Sequence, residues 1–239
     1  MIAARIAALW GADAVEDFLR PSVFHVTAVW GRPQGPPAVL RINADTPKSA
    51  TDRFSLEIAR ARADAIVATG QILRDEPEER FAIADPEVEA WRRATFGGAP
   101  TTLAVLTSGR SIDFDHPAFH AEHLRPIVFT ANAQLEAPTN VEVVVDADAS
   151  PRTLVAYLRR RCSRISIEAG PSASRLLYEA PLAIDELLLS TLVAEHVPES
   201  TVGGDFFTEP ELAARFGERS TPVVRSERGR TWRFERFSA

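Results

Sequence analysis

The stretch Arg164–Ser190, RISIEAGPSASRLLYEAPLAIDELLLS, decides the fold. Ile165 and Ile167 are β-branched and apolar, as in a buried strand, and Glu168 ends the run. Ala169 and Gly170 carry no bulky side chain, so backbone there can come close to a ligand. Pro171 suits the first position of a helix, where a missing N–H costs nothing. Ile184-Asp185-Glu186-Leu187 then leads into a second strand. In such a unit Ser172, Ser174 and the amides of the first helical turn face the turn. A phosphate or another anion is the natural occupant there. An ordinary βαβ crossover with nothing in its turn has the same pattern, and both readings stand at this point.

Working outward, the same alternation runs through most of the chain. Val23–Trp30 reads as the first strand, the Pro/Gly-rich loop Gly31–Pro37 follows, and Ala38–Ile42 reads as a short return strand. Ser49 or Thr51 caps a helix to Arg62, with Phe54, Ile58 and Ala61 on one face. Ala63–Thr69 is a short buried strand ending at Gly70, and Asp85–Thr95 a helix. Thr101–Thr107, Pro126–Thr130 and Val141–Val145 are further strands, and Pro151–Arg161 a helix. Val223–Glu227 and Thr231–Phe237 flank Arg228-Gly229-Arg230 as a hairpin. Short strands separated by helices predict an α/β fold with a mainly parallel central sheet, and the hairpin adds antiparallel strands at one edge. No repeat or low-complexity linker divides the 239 residues, so one domain, 1–239, is expected, with 1–20 as a helical extension.

Composition excludes several classes. A net charge of −6 argues against a nucleic-acid partner. A single cysteine, Cys162, cannot form an intramolecular disulfide and reads as a packing residue. No apolar run is long enough to span a membrane, and Asp13, Glu16 and Asp17 interrupt any leader-like core, so a cytoplasmic location is expected. His116, His120 and His123 have a spacing that metal sites use. With no cysteine nearby they read as part of a solvated loop helix, and no metal is expected. His25, inside the first strand, reads as a core or edge residue, and the tail arginines, including Arg233 and Arg236, as the solvated face of the hairpin. There is no nucleophile elbow, no Walker loop and no strict G-x-G-x-x-G fingerprint.

Three strand ends share one design: Thr69-Gly70-Gln71, Thr107-Ser108-Gly109-Arg110-Ser111 and Glu168-Ala169-Gly170-Pro171-Ser172. The carboxyl ends of parallel strands line the ligand crevice of an open α/β sheet. Three such ends on one edge suit a dinucleotide. Arg110, flanked by Ser108 and Ser111, can meet a 2′-phosphate in two parallel hydrogen bonds, which favours NADPH over NADH. Plain turns remain the competing reading.

At this point the residues resemble a known family. SATDRFSLEIARARADAIVATGQILRDEP resembles the segment of riboflavin-pathway pyrimidine reductases in which a helix ending in LRA-x-ADA leads to a strand, a glycine turn and D-x-P. ISIEAGPSASRLLYEAPLAIDELLLS resembles that family's EGGP…L…DEL unit, and Thr201-Val202-Gly203-Gly204 its following GG. The resemblance covers roughly Val23 to Asp205. It implies a dihydrofolate-reductase-like fold, NADPH as cofactor, a homodimer, and reduction of the ribosyl group of a phosphoribosylamino-pyrimidine to a ribityl chain. By position it implies cofactor contacts at Thr69, Gly70, Gln71, Thr107, Ser108, Gly109 and Arg110, with the diphosphate held by Glu168, Ala169, Gly170, Pro171 and Ser172. Asp75, matching D-x-P, is the implied catalytic and substrate residue, and a proton would come from Asp75, from Glu76 if burial raises its pKa, or through water. One departure matters. The family's first strand ends in S-L-D-G, whereas this one ends Ala28-Val29-Trp30-Gly31, so Trp30 either stacks on a flat substrate ring or fills the site. The alternatives are a family member that has lost catalysis and binds nucleotides or assembles with partners, and a reductase of another pterin or carbonyl.

Overall fold

The computed structural model describes residues 1–110 and 112–239. Its strands are β1 (Ser22–Gly31), β2 (Ala38–Leu40), β3 (Ala65–Thr69), β4 (Thr101–Leu106), β5 (Leu124–Thr130) and β6 (Glu142–Val145). They continue as β7 (Arg164–Ile167), β8 (Glu186–Val193), β9 (Val202–Asp205), β10 (Glu218–Arg219), β11 (Val223–Glu227) and β12 (Arg230–Ser238). The helices are α1 (Ile2–Trp10), α2 (Ala14–Asp17), α3 (Ala50–Arg62), α4 (Gly70–Asp75), α5 (Pro86–Phe96), α6 (Pro151–Arg159), α7 (Pro171–Ser174) and α8 (Glu209–Ala213).

The sheet runs β10-β12-β8-β1-β7-β3-β4-β5-β6. From β8 to β6 every neighbouring pair is parallel, and β12 joins β8 antiparallel, as the alternating tail predicts. Parallel strands need crossovers, and the helices that make them cover both faces, so central strands read as continuous apolar runs. In β3, Ile66 and Ala68 pack with the α1, α3 and α5 side, whereas Ala65 and Val67 pack with α6 and α8. Ser49 caps α3, accepting the Asp52 amide at 2.9 Å. The cap is reinforced by Glu227 of the hairpin, which accepts the Ala50 amide at 2.7 Å.

Three differences from the sequence reading have physical causes. Residues 202–205 form a strand against β2 although Gly203 and Gly204 carry no strand signal. A Cβ on Gly203 would lie 2.7 Å from the Val39 carbonyl oxygen, so only glycine lets the two backbones meet. The return strand stops at Leu40, where Arg41 donates its amide to Thr201 at 2.8 Å instead. Arg236 is not on a solvated face. It pairs with Glu186 at 2.7 Å and Asp17 at 2.8 Å, joining β12 to β8 and α2.

Candidate functional site

The site begins where a strand is missing. β7 ends at Ile167, level with His25 on β1 and Val67 on β3. Its last ladder bond is the Glu168 amide donating to Val67 at 2.9 Å. Pro171 has no N–H to extend the ladder and holds Gly170 extended at φ −61°. β1 runs on to Gly31 with no β7 beside it. Val26, Thr27 and Ala28 are therefore half-buried although their strand lies in mid-sheet. A crevice opens between β1 and β3, with the residues after Ile167 as its rim.

All three predicted turns sit on this edge, because β7, β3 and β4 are adjacent. Thr69 caps α4, accepting the Ile72 amide at 3.4 Å. A Cβ on Gly70 would lie 2.9 Å from the Thr107 hydroxyl, so the glycine lets the first two turns touch. Gln71 donates to Asp75 at 2.7 Å and accepts from Arg74 at 2.8 Å, which places the Asp75 carboxylate on the exposed face of α4. Thr107 accepts the Gly109 amide at 3.1 Å, and Gly109 has φ +72°, a backbone conformation that disfavours a side chain. Ser108 and Arg110 are exposed beside it, and Ser111 lies outside the described residues. A cavity of about 470 Å³ lies between α4 and the segment after the second turn, lined by Gly70, Arg74 and His116 and by the carboxylates Glu78, Asp113 and Asp115, so it suits an uncharged ring rather than a phosphate. That is large enough for part of a dinucleotide.

In the third turn a Cβ on Gly170 would meet nothing within 4 Å. Neither φ nor crowding demands a glycine there, and the space beside its Cα is open. Pro171 is buttressed from behind by Gly204, whose Cβ would come within 3.1 Å of the ring. Below the turn, His25 Nδ1 is 2.8 Å from the Tyr178 hydroxyl, and the ring also lies against the Ala169 backbone. Burial lowers the His25 pKa to about 4, so the imidazole is neutral. Ser172 is exposed, whereas Ser174 is buried and turned away from the rim.

Glu168 is held by buried Arg60 of α3, whose Nη2 lies 2.8 Å from Oε2. Arg60 also reaches Glu79 at 3.2 Å. Glu76 joins this group half-buried, and its pKa is pushed up to about 7 by burial and then by the charges of Glu79, Glu168 and Asp75, against the pull of Arg60. The surroundings of Glu76, named for a proton relay, favour its protonated form. Trp30 donates its indole N–H to the Ala194 carbonyl at 2.8 Å, so its ring is fixed along the far side of the crevice floor. Sequence reasoning missed Arg60 and Glu79, which lie 108 and 89 residues from Glu168 in the chain and give no local motif.

The histidines have structural tasks. His116, His120 and His123 each place Nε2 against a backbone oxygen, of Glu76 at 3.0 Å, Phe114 at 2.9 Å and Arg80 at 3.0 Å. Among the described residues no cluster of metal-ligating side chains forms, and no helix is long and apolar enough to cross a membrane.

No protein-family model matches the chain, and no curated protein matches its sequence. Solved structures do match. A pyrimidine reductase-like protein from Corynebacterium diphtheriae is 21% identical over 98% of both chains, with a TM-score of 0.68. The diaminohydroxyphosphoribosylaminopyrimidine deaminase/5-amino-6-(5-phosphoribosylamino)uracil reductase of Thermotoga maritima is 17% identical, with a TM-score of 0.61. That match covers 95% of this chain and 62% of the Thermotoga protein. The riboflavin biosynthesis reductase of Saccharomyces cerevisiae is 12% identical over 92% of this chain and 91% of the yeast one, with a TM-score of 0.56. The mainly parallel sheet, the crevice beside its shortened strand and these likenesses agree: the chain has the dihydrofolate-reductase-like fold of the riboflavin-pathway pyrimidine reductases.

Proposed function

We propose that the protein is an NADPH-dependent reductase acting on a small carbonyl compound, with the phosphoribosylamino-pyrimidine of riboflavin synthesis as the first substrate to test. The observation that carries this reading is the early end of β7, which opens a crevice on the edge where the three turns stand side by side. The residues fit the cofactor. Gly170 leaves open room at the rim, a cavity adjoins Gly70, and Arg110 is an exposed cation beside the second turn. Glu168, Ala169, Gly170, Pro171 and Ser172 would hold the diphosphate, with Thr69, Gly70, Gln71, Thr107, Ser108, Gly109 and Arg110 along the rest. NADPH, when bound, supplies the hydride.

The protein's own part is to position, exclude water and deliver a proton. The Arg60–Glu168 pair fixes the rim, and Gly204 backs Pro171. Trp30 offers a flat apolar face beside half-buried Ala28. A second reading, a nucleotide-binding protein without turnover, is favoured by the indole where the family has an aspartate. Saturable NADPH binding together with NADPH oxidation on the pyrimidine supports the reductase. Binding without oxidation supports the second reading, and no binding excludes both.

A further inference from the structure

The third turn rests on a buried polar ring that packing alone does not call for. His25 is almost fully buried on β1, level with Ile167, the last residue of β7. Its side chain is on the face that carries Val23 and Val29. The rings of Tyr178 and Phe206 lie 5.8 and 6.0 Å from it. Tyr178 ends the short helical turn after α7, and Phe206 follows β9, whose Gly204 backs Pro171. Three pieces of the rim therefore meet at this one imidazole.

Only one of its nitrogens is satisfied. Nδ1 lies 2.8 Å from the Tyr178 hydroxyl, whereas Nε2 is buried and makes no hydrogen bond among the described residues. A phenol is the stronger donor and an imidazole nitrogen the stronger acceptor, so Tyr178 donates to Nδ1 and the neutral ring carries its proton on Nε2. A buried N–H without a partner costs stability, and an apolar pair in place of His25 and Tyr178 would not. The nearby acceptor is Ala169. It lies two residues past Ile167 on the same face, packs on the same cluster and sets its backbone against the ring. Diagonal neighbours at that spacing are within reach of an aromatic side chain.

We propose that His25 is a positioning residue of the dinucleotide turn: its Nε2–H holds the Ala169 carbonyl inward and so aims the Gly170 amide at the diphosphate. The role rests on the cofactor reading above. The peptide between Ala169 and Gly170 is trans and planar, so its carbonyl and its N–H point in opposite directions. A carbonyl turned down onto the ring turns the Gly170 N–H outward. That N–H donates to nothing among the described residues, and the space beside Gly170 is open. In this structure the Nε2 bond is not closed. An anion that draws the Gly170 N–H outward tips the carbonyl onto Nε2 and closes it, so the buried proton gains its partner when the dinucleotide binds.

The test separates affinity from stability in wild type, His25→Leu/Tyr178→Phe and His25→Gln. The double variant removes both partners of the buried bond together, so it is expected to melt at or above the wild-type temperature while its Kd for NADPH rises at least about tenfold. His25→Gln, whose amide places an N–H near the position of Nε2, is expected to bind NADPH within about threefold of wild type. In wild type, nitrogen-15 NMR of the imidazole is expected to show the proton on Nε2 and to show its resonance moving downfield when NADPH is added. Equal affinity in the double variant and wild type, His25→Gln as weak as the double variant, or an unmoved Nε2–H resonance on saturation overturns the assignment. If the double variant does not fold, the NMR titration and His25→Gln decide the matter. Wild type without saturable NADPH binding overturns the cofactor reading and the assignment with it, and that failure is visible in the wild-type arm alone.

Discussion

Arg60 of α3 and Glu168 at the end of β7 form a two-pronged ion pair. Nε lies 3.1 Å from both carboxylate oxygens and Nη2 lies 2.8 Å from Oε2, and both side chains are buried. The pair ties the helix that covers the crevice to the turn that forms its rim. Removing one partner leaves the other buried and uncompensated. Arg60→Leu is expected to cost roughly 3–5 kcal/mol in urea unfolding, and Arg60→Leu/Glu168→Leu less than the sum of the single changes. Additive losses would mean that the two groups do not act as a pair.

Glu76 gives stability a pH dependence. Its folded pKa, about 7, lies above its ordinary 4.5, so the unfolded chain releases this proton first as pH rises. Stability is therefore lost between about pH 4.5 and 7. The full shift corresponds to about 3 kcal/mol, and partial solvent screening reduces it to on the order of 1–2 kcal/mol. Glu76→Gln should gain on wild type by that amount as pH rises across this window, read as the difference between the two denaturant midpoints, which removes the contributions the two proteins share. Parallel pH profiles would contradict the assignment.

His25 has the opposite sign. Its folded pKa of about 4 lies below its ordinary 6.5, so the unfolded chain takes up this proton first on acidification. Its contribution is present above pH 6.5 and is lost as pH falls toward 4, by about 3 kcal/mol in total. His25→Gln should narrow the stability gap between neutral and acidic pH by that amount. An equal gap in both proteins would show that the imidazole is not held neutral.

The GG of β9 is a steric requirement. Gly203→Ala places a methyl 2.7 Å from the Val39 carbonyl, so β2 and β9 must part and Gly204 must draw back from Pro171. A loss of roughly 1–3 kcal/mol and faster amide exchange at Val39 and Leu40 are expected. Unchanged exchange there would contradict the close approach.

Much of this was legible in the sequence where the signal is local. The strand–turn–helix unit from Arg164, a cap of α3 at Ser49 or Thr51 and the alternation that makes β11 and β12 a hairpin all follow from neighbours in the chain, and the structure settles the cap on Ser49. β9 was not legible, because glycines carry no strand preference and the strand exists only through its pairing with β2. The charged group around Arg60 was hidden for a related reason: its members come from α3, from the segment after α4 and from the end of β7. Asp75 shows what a motif leaves open, the direction in which its side chain points. Its pattern is present, but its carboxylate is bonded to Gln71 on the exposed face of α4, while Glu76 turns inward.

The central claim, that the turn at Gly170 cradles a dinucleotide, meets its most direct test in an NADPH titration of wild type and Gly170→Val followed by nicotinamide fluorescence. Gly170 already has a φ of −61° and open space where the new side chain would go, so the variant should fold with an unchanged melting temperature. The account predicts saturable binding by wild type and binding at least about tenfold weaker, or absent, in the variant. Equal affinity in the two proteins, or no saturable binding by wild type, would contradict it.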